Sequence, residues 1–297
     1  AEYPEAATSA LELINCAEIV MFKGKAMGKN RIQYFDTPIL NDFLKNVELD
    51  SKLKEAVFEN NFLLYYQPQY YAGNRKLRGV EALIRWNSGE LGLIPPADFI
   101  PLAEYLGLIN PIGEFVLREA CIHCKYWNDM GHPEYKVNVN LSVVQLLQND
   151  IVERIARVIE ETRITPQNLT LEVTESLAVN DMSRMKRILA DIRHLGVRVA
   201  LDDFGTGYSS LNHIREMPID VIKIDRCFII DIGKDDFSNA FVKMVGELAT
   251  AIHVNVCVEG VETKEQLDAL VGSKVQLIQG FYFGKPMKAE MFERQYL

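Results

Sequence analysis

From residue 61 onward the chain alternates short apolar, β-branched runs with longer stretches of amphipathic helical spacing. The runs are FLLYYQPQY (62–70), RGVEALIRW (78–86), KVNVNLS (136–142), LTLEVTE (169–175), RVALDD (198–203), VIKID (221–225), NVCVEGVE (255–262) and LIQGFYF (277–283). Helical spacing fills the gaps at 112–127, 143–162, 182–195, 235–251 and 263–271. Eight strands with helices between them predict an α/β fold, a (β/α)8-type barrel whose chemistry gathers at the C-terminal strand ends. Only YAGNRKL separates the first two runs. That gap is hairpin-sized and too short for a helical crossover, so the first strand is expected to run antiparallel to the second. Upstream, residues 5–28 read as a helix and NRIQYFD (30–36) as a short strand. The spacing of Ile39, Phe43, Val47 and Leu53 predicts a helical linker.

Parity along the strands sorts the side chains that point into such a barrel. Glu81, Leu83 and Arg85 share one face of their run, Asn138 and Asn140 another, and Thr170 and Glu172 a third. Lys223 and Asp225 lie on one face of VIKID, Glu259 has the parity of Cys257, and Gln279 comes late in its run. Singly, each has a bland reading: Asn140, Gln67 and Gln279 as hydrogen-bond fillers, Glu172 as a half-exposed strand residue, Lys223 as a surface or structural lysine. Together they place polar groups on otherwise apolar strands, where an unpaired charge costs several kcal/mol. A chance scatter does not explain that pattern.

The stretch ALDDFGTGYSSL (200–211) sharpens it. Asp202 and Asp203 are adjacent, and like charges that close disfavour each other's ionised form unless a cation lies between them. A solvated turn is the plain alternative. However, Glu81, Asn140, Glu172, Asp202, Asp203 and Glu259 form an all-oxygen donor set with no His or Cys, which suits hard cations such as Mg2+ or Mn2+. Two such ions about 3.5–4 Å apart suit phosphodiester hydrolysis, and Arg85 would clamp a phosphate oxygen.

Composition narrows the alternatives. The chain has 297 residues, of which 48% are hydrophobic and 25% charged, enough for a sizeable core. The net charge of −9, without a basic stripe, argues against binding a nucleic-acid polymer. Five cysteines without a pairing pattern fit a reducing, cytoplasmic setting. Cys121-Ile-His-Cys124 has no second cluster at zinc spacing and reads as a packed helix face. No apolar run is long enough to span a membrane. The first residues carry no basic leader and read as a cut through a longer protein that could be membrane-anchored.

EALIRW (81–86), NLS (140–142), LEVTES (171–176), DDFGTGYSSL (202–211), IKID (222–225), EGVET (259–263) and QGFYFGKP (279–286) occur in that order. They resemble the EAL-domain phosphodiesterases, which hydrolyse cyclic di-GMP to the linear dinucleotide pGpG and whose barrel has an antiparallel first strand. The resemblance implies two Mg2+ or Mn2+ ions per active site, one on Glu81, Asn140, Glu172 and Asp202, the other on Asp202, Asp203 and Glu259. It implies that Lys223 orients or deprotonates the attacking water, aided by Glu259, and that its pKa falls beside the two cations. Gln67, Leu83 and Arg85 would contact the dinucleotide, with Asp225, Glu262, Gln279 and Pro286 near the bases. Glu175 would anchor the loop GTGYSS through its backbone or through Ser209 and Ser210. The implied assembly is a homodimer, with LNHIREM (211–217) at the contact.

Residues 16–36 resemble the last helix and strand of a GGDEF cyclase domain, whose signature is absent. The expected organisation is therefore a GGDEF-like remnant over 1–36, a linker helix over 37–54 and the barrel over 55–297. A full-length protein would carry the GGDEF-like domain and a sensor. Two alternatives stand beside this reading. A catalytically inactive cyclic di-GMP receptor keeps Arg85 and Gln67 but needs no six-oxygen donor set. An enolase-type enzyme uses Mg2+ and a Lys base, but the Asp pair and Asn140 fit two metals better than one.

Overall fold

The apolar runs pair as strands because their outward faces are covered by helices and their inward faces meet one another. The computed structural model describes residues 13–14, 16–17, 20–21, 49–59, 61–175, 182–207 and 211–297. It divides into two compact units, residues 1–61 and 62–297. In the first, a helix (α1) runs over 49–59 and buries Leu49, Leu53 and Ala56, so it passes through the boundary expected at 54/55. The strand expected at 30–36 and most of the helix at 5–28, hence the GGDEF-like remnant, lie outside the described residues.

In the second unit the strands are β1 (Phe62–Tyr71), β2 (Leu77–Asn87), β3 (Leu93–Ile94), β4 (Lys136–Asn140), β5 (Leu169–Thr174), β6 (Arg198–Phe204), β7 (Val221–Ile224), β8 (Asn255–Val258), β9 (Leu277–Gln279) and β10 (Met287–Lys288). Their hydrogen-bonded order, β10-β1-β9-β8-β7-β6-β5-β4-β2-β3 with a further β1–β2 pairing, closes an eight-stave barrel to which β3 and β10 are appended. β1 is antiparallel to β2 on one side and to β9 on the other, as its hairpin-sized link requires, while β2 and β4 through β9 run parallel.

The helices are α2 (Pro96–Tyr105), α3 (Ile109–Asp129), α4 (Val143–Leu146), α5 (Ile151–Thr162), α6 (Met182–His194), α7 (Leu211–Glu216), α8 (Asp236–Ala251), α9 (Lys264–Ala269) and α10 (Ala289–Tyr296). They cover outward strand residues such as Val137, Leu171, Val199, Ile222 and Val256, each at most 2% exposed. Burying a side chain of this size contributes about 1.5–3 kcal/mol. Inside the barrel, Ala200, Val221, Cys257 and Leu277 form one buried cluster.

Several expectations shift. The helix expected over 143–162 is two helices, α4 and α5, separated by 147–150. Ser142 begins α4 with a reciprocal cap to Gln145. The runs NVCVEGVE and LIQGFYF stop as strands at Val258 and Gln279; Gly260 then takes a left-handed conformation (φ 72°) that turns the chain. Helices α2 and α10 and strands β3 and β10 have no counterpart in the sequence reading. Cys121 and Cys124 are free and buried on α3, and burial pushes the Cys124 thiol up to about 12, which fits packing rather than metal binding. Among the described residues no helix is long and apolar enough to cross a membrane.

Candidate active site

The parallel strands deliver their polar residues to one mouth of the barrel, and Lys223 of β7 stands at the centre. Its side chain is 1% exposed, and its Nζ lies 2.6 Å from Glu172, 2.6 Å from Glu259, 3.2 Å from Asp202 and 3.5 Å from Glu81. Register explains the convergence. Asn140 on β4 pairs with Glu172 on β5, Thr174 with Asp202 on β6, and Lys223 with Cys257 on β8. Glu259 follows the end of β8, held by its amide on the Ile224 carbonyl (3.1 Å).

Consecutive strand residues point to opposite faces, yet Asp202 and Asp203 belong to the same charge cluster. The β6–β7 register shifts between Leu201 and Phe204, and Asp203 adopts a left-handed φ of 53°. This is a costly conformation for any residue with a Cβ, though least so for Asp and Asn. The kink leaves Asp203 within reach of the charges of Asp202, Asp225, Lys223 and Glu81, and burial together with Asp202 and Asp225 raises its pKa. The loop begins there. Glu175, 5% exposed at the end of β5, accepts from the amides of Gly205 (2.9 Å) and Gly207 (3.1 Å) through one carboxylate oxygen. A Cβ on Gly205, at φ 99°, would stand 2.5 Å from Phe241 and 2.6 Å from Phe228, so the loop is gripped from both sides. Ser209 and Ser210 lie outside the described residues.

The electrostatics are those of a crowded acid cluster. Burial raises the pKa of Glu172 well above its usual range, and the charge of Glu81 raises it further. Burial opposes ionisation of Glu81 too, but Lys223 and hydrogen bonds from Gln279 and Asn140 hold its pKa down. Burial pushes Glu259 up to about 8, against the pull of Lys223 and with the help of Asp202 and Glu81. Burial also works to neutralise Lys223, yet Asp202, Glu172, Glu259 and Glu81 outweigh it and raise its pKa well above normal. Carboxylates alone thus favour the ammonium form, whereas the expected fall in the Lys223 pKa belongs to a site that holds two cations.

Among the described residues no three His, Cys, Asp or Glu side chains stand as a ready metal cage; the carboxylates close on Lys223 instead. The donor set nevertheless fits hard cations. It is all oxygen, Glu81, Glu172 and Asp202 are buried, and five carboxylates oppose one ammonium. Glu259 Oε1, although 2.6 Å from Lys223 Nζ, accepts no well-directed hydrogen bond and keeps lone pairs to spare.

The remaining expected site residues fall in two groups. Leu83 and Arg85 are half-buried along β2, and Arg85 donates to the Ile84 carbonyl (2.8 Å) while lying 5.3 Å over the Tyr65 ring. Asp225 caps a short 3-10 turn through the Cys227 amide (2.9 Å), Glu262 is exposed and pairs with Arg226 (3.0 Å), and Pro286 is half-buried just before β10. Gln67 and Gln279 lie inside the barrel, 8% and 4% exposed. Gln279 donates its amide hydrogens to Gln67 (3.1 Å) and Glu81 (2.7 Å), so it supports one of the clustered carboxylates.

Arg78 is a buried residue that sequence reasoning missed. Strict alternation puts it on the outward face, but β2 carries an extra residue there: Gln69 pairs with Gly79 and Tyr70 with Leu77. Gly79 permits the bulge, since a Cβ would lie 2.0 Å from the Lys136 carbonyl oxygen. The Arg-Gly dipeptide inside an apolar run is the one signal the sequence offered.

Comparison with known proteins agrees with this geometry. The family model described as EAL domain matches residues 50–286. A bifunctional diguanylate cyclase/cyclic di-GMP phosphodiesterase, MucR of Pseudomonas aeruginosa, is 37% identical over 288 residues, covering 97% of this chain and 42% of MucR. The cyclic di-GMP phosphodiesterase PdeR of Escherichia coli is 35% identical over 294 residues, covering 99% of this chain and 44% of PdeR. The chain therefore spans less than half of these relatives. Among solved structures, the PaMucR phosphodiesterase in complex with c-di-GMP superposes with a TM-score of 0.79 at 39% identity, covering 82% of this chain and 99% of that one. The EAL enzyme Bd1971, with cAMP and cyclic di-GMP bound, gives 0.83 at 28% identity over 99% of this chain and 77% of its own.

Proposed function

The chain belongs to the EAL-domain family, and from that membership we propose that its barrel is a metal-dependent phosphodiesterase that hydrolyses cyclic di-GMP to pGpG. The observation that carries the reading is the ring of Glu81, Glu172, Asp202 and Glu259 around Lys223 at the barrel mouth. Such a concentration of buried acid is costly without cations to neutralise it.

Glu81, Asn140, Glu172 and Asp202 would hold one Mg2+ or Mn2+, and Asp202, Asp203 and Glu259 the other. When bound, these ions supply Lewis acidity and lower the pKa of water. The protein's own groups do the rest. Beside the bound ions like charge would favour the neutral form of Lys223, which would then orient the attacking water and take a proton from it. Arg85, in no ion pair with a carboxylate among the described residues, would clamp a non-bridging phosphate oxygen. Leu83 packs on the ligand, and Gln67, Asp225, Glu262, Gln279 and Pro286 border the base sites. Glu175 holds the loop that starts at Asp203. A homodimer and additional upstream domains belong to the same proposal.

Purified protein mixed with cyclic di-GMP and Mn2+ should release pGpG, with Ca2+ inhibiting. Full activity in excess EDTA would refute metal dependence. Tight binding without turnover would leave a receptor. Asp203→Asn should cut turnover by about two orders of magnitude while changing dinucleotide affinity only a few-fold.

A further inference from the structure

Arg78 is 2% exposed, and among the described residues it forms no ion pair with a carboxylate. Its Nη1 donates to Gln69 Oε1 (2.8 Å) and Asn138 Oδ1 (3.0 Å), and its Nη2 approaches Thr170 Oγ1 (3.5 Å). A buried cation hydrogen-bonded to neutral oxygens alone is an expensive arrangement, even with the charge of Glu172 in electrostatic reach. The partners of those oxygens give it a purpose. Asn138 Nδ2 donates to Glu172 Oε1 (2.6 Å). Gln69 Nε2 donates to Gln279 Oε1 (2.7 Å), and Gln279 Nε2 donates to Glu81 Oε2 (2.7 Å). Two chains of amides thus run from one guanidinium to two of the clustered carboxylates.

An amide can face either way along such a chain, because it carries a donor at one end and an acceptor at the other. A guanidinium has donors only. Once it occupies the start, each first amide must turn its oxygen to the arginine and its NH2 onward, and every later amide follows. Reversing the sense would bring an amide oxygen against a carboxylate oxygen at each far end.

We propose that Arg78 is a positioning residue that fixes the donor–acceptor sense of both amide chains, so that Glu172 and Glu81 each receive an NH2 group and stay aimed at the proposed cation site. The inference rests on the phosphodiesterase reading, and it differs from a simple counter-charge role. A counter-charge acts whatever lies between it and the carboxylates, whereas the relay acts only through Asn138 and Gln69.

Calorimetric titration of Mn2+ into the metal-free protein separates these roles without reference to turnover. Arg78→Gln, which can accept as well as donate, should weaken Mn2+ binding about tenfold, the range seen for outer-shell partners. Arg78→Lys, again a pure donor, should restore it to within about threefold of wild type. Asn138→Leu should weaken binding on its own, and adding Arg78→Gln to it should cost clearly less than in the wild-type background. Additive losses, or no rescue by lysine, would overturn the role of Arg78 while leaving the phosphodiesterase reading intact. A wild-type protein that bound no Mn2+ would sink that reading and this inference together. Should the Arg78 variants fail to fold, the wild type still decides. NMR couplings across the side-chain hydrogen bonds should place the Asn138 NH2 on Glu172, and an Asn138 oxygen facing Glu172 would contradict the relay.

Discussion

Lys223 stands among the carboxylates that would hold the cations, and this gives its removal a double consequence. Lys223→Ala takes away the proposed proton acceptor, so the rate should fall about a hundredfold or more. It also leaves Glu172 and Glu259 without their contacts at 2.6 Å, so Mn2+ affinity should hold or rise. Loss of metal on this substitution would make Lys223 a structural residue. The same crowding predicts a pH dependence. Glu259 keeps its proton up to about pH 8 in the metal-free protein, whereas an unfolded chain releases it near 4.3. The folded state binds more protons across that interval, so its Glu259 contribution to stability falls as pH rises through it. A cation must displace that proton, so Mn2+ affinity should climb from pH 6 to about 8 and then flatten at this step. Denaturation in EDTA and titrations across this range check both signs. A metal affinity that does not change with pH would contradict the protonated Glu259.

At the scale of elements, the loop after β6 is the part whose behaviour can be forecast. It has a strained Asp203 at its root, Glu175 on the amides of Gly205 and Gly207, and Phe228 and Phe241 on the other side. Glu175→Gln keeps the size but gives up a charge-assisted acceptor, so amide exchange at 205–207 should accelerate. Turnover should drop by about tenfold, with Mn2+ affinity changed less than by Asp203→Asn. Wild-type protection in the variant would refute the anchor. The strands themselves were legible because apolar runs of period two, separated by helical spacing, leave few other folds open, and the seven-residue link forced the antiparallel first strand. The inward parity of Glu81, Asn140, Glu172 and Lys223 was legible for the same reason. Arg78 and the facing of Asp203 were not, because each sits where the alternation breaks, at a bulge and at a left-handed residue; Asp203 was a candidate only through its place beside Asp202. Gln279 had the right face, but its burial depends on β1 lying opposite, a contact that no local pattern contains.

On the scale of the barrel, the antiparallel β1 also sets an order in time. Its pairing with β2 from Phe62↔Trp86 to Tyr70↔Leu77 is local in sequence, so this hairpin costs little loop entropy and can form early. Its pairing with β9 joins Gln69 to Gln279 across 210 positions and shuts the barrel. The hydrogen bond from Gln279 to Glu81 therefore belongs to the last seam to close, and a chain released or truncated before β9 docks has no completed acid cluster to offer a metal. Refolding by dilution into Mn2+ should show helical signal recovering first and metal uptake in a later, slower phase. Metal uptake that coincided with the first gain of secondary structure would contradict this order.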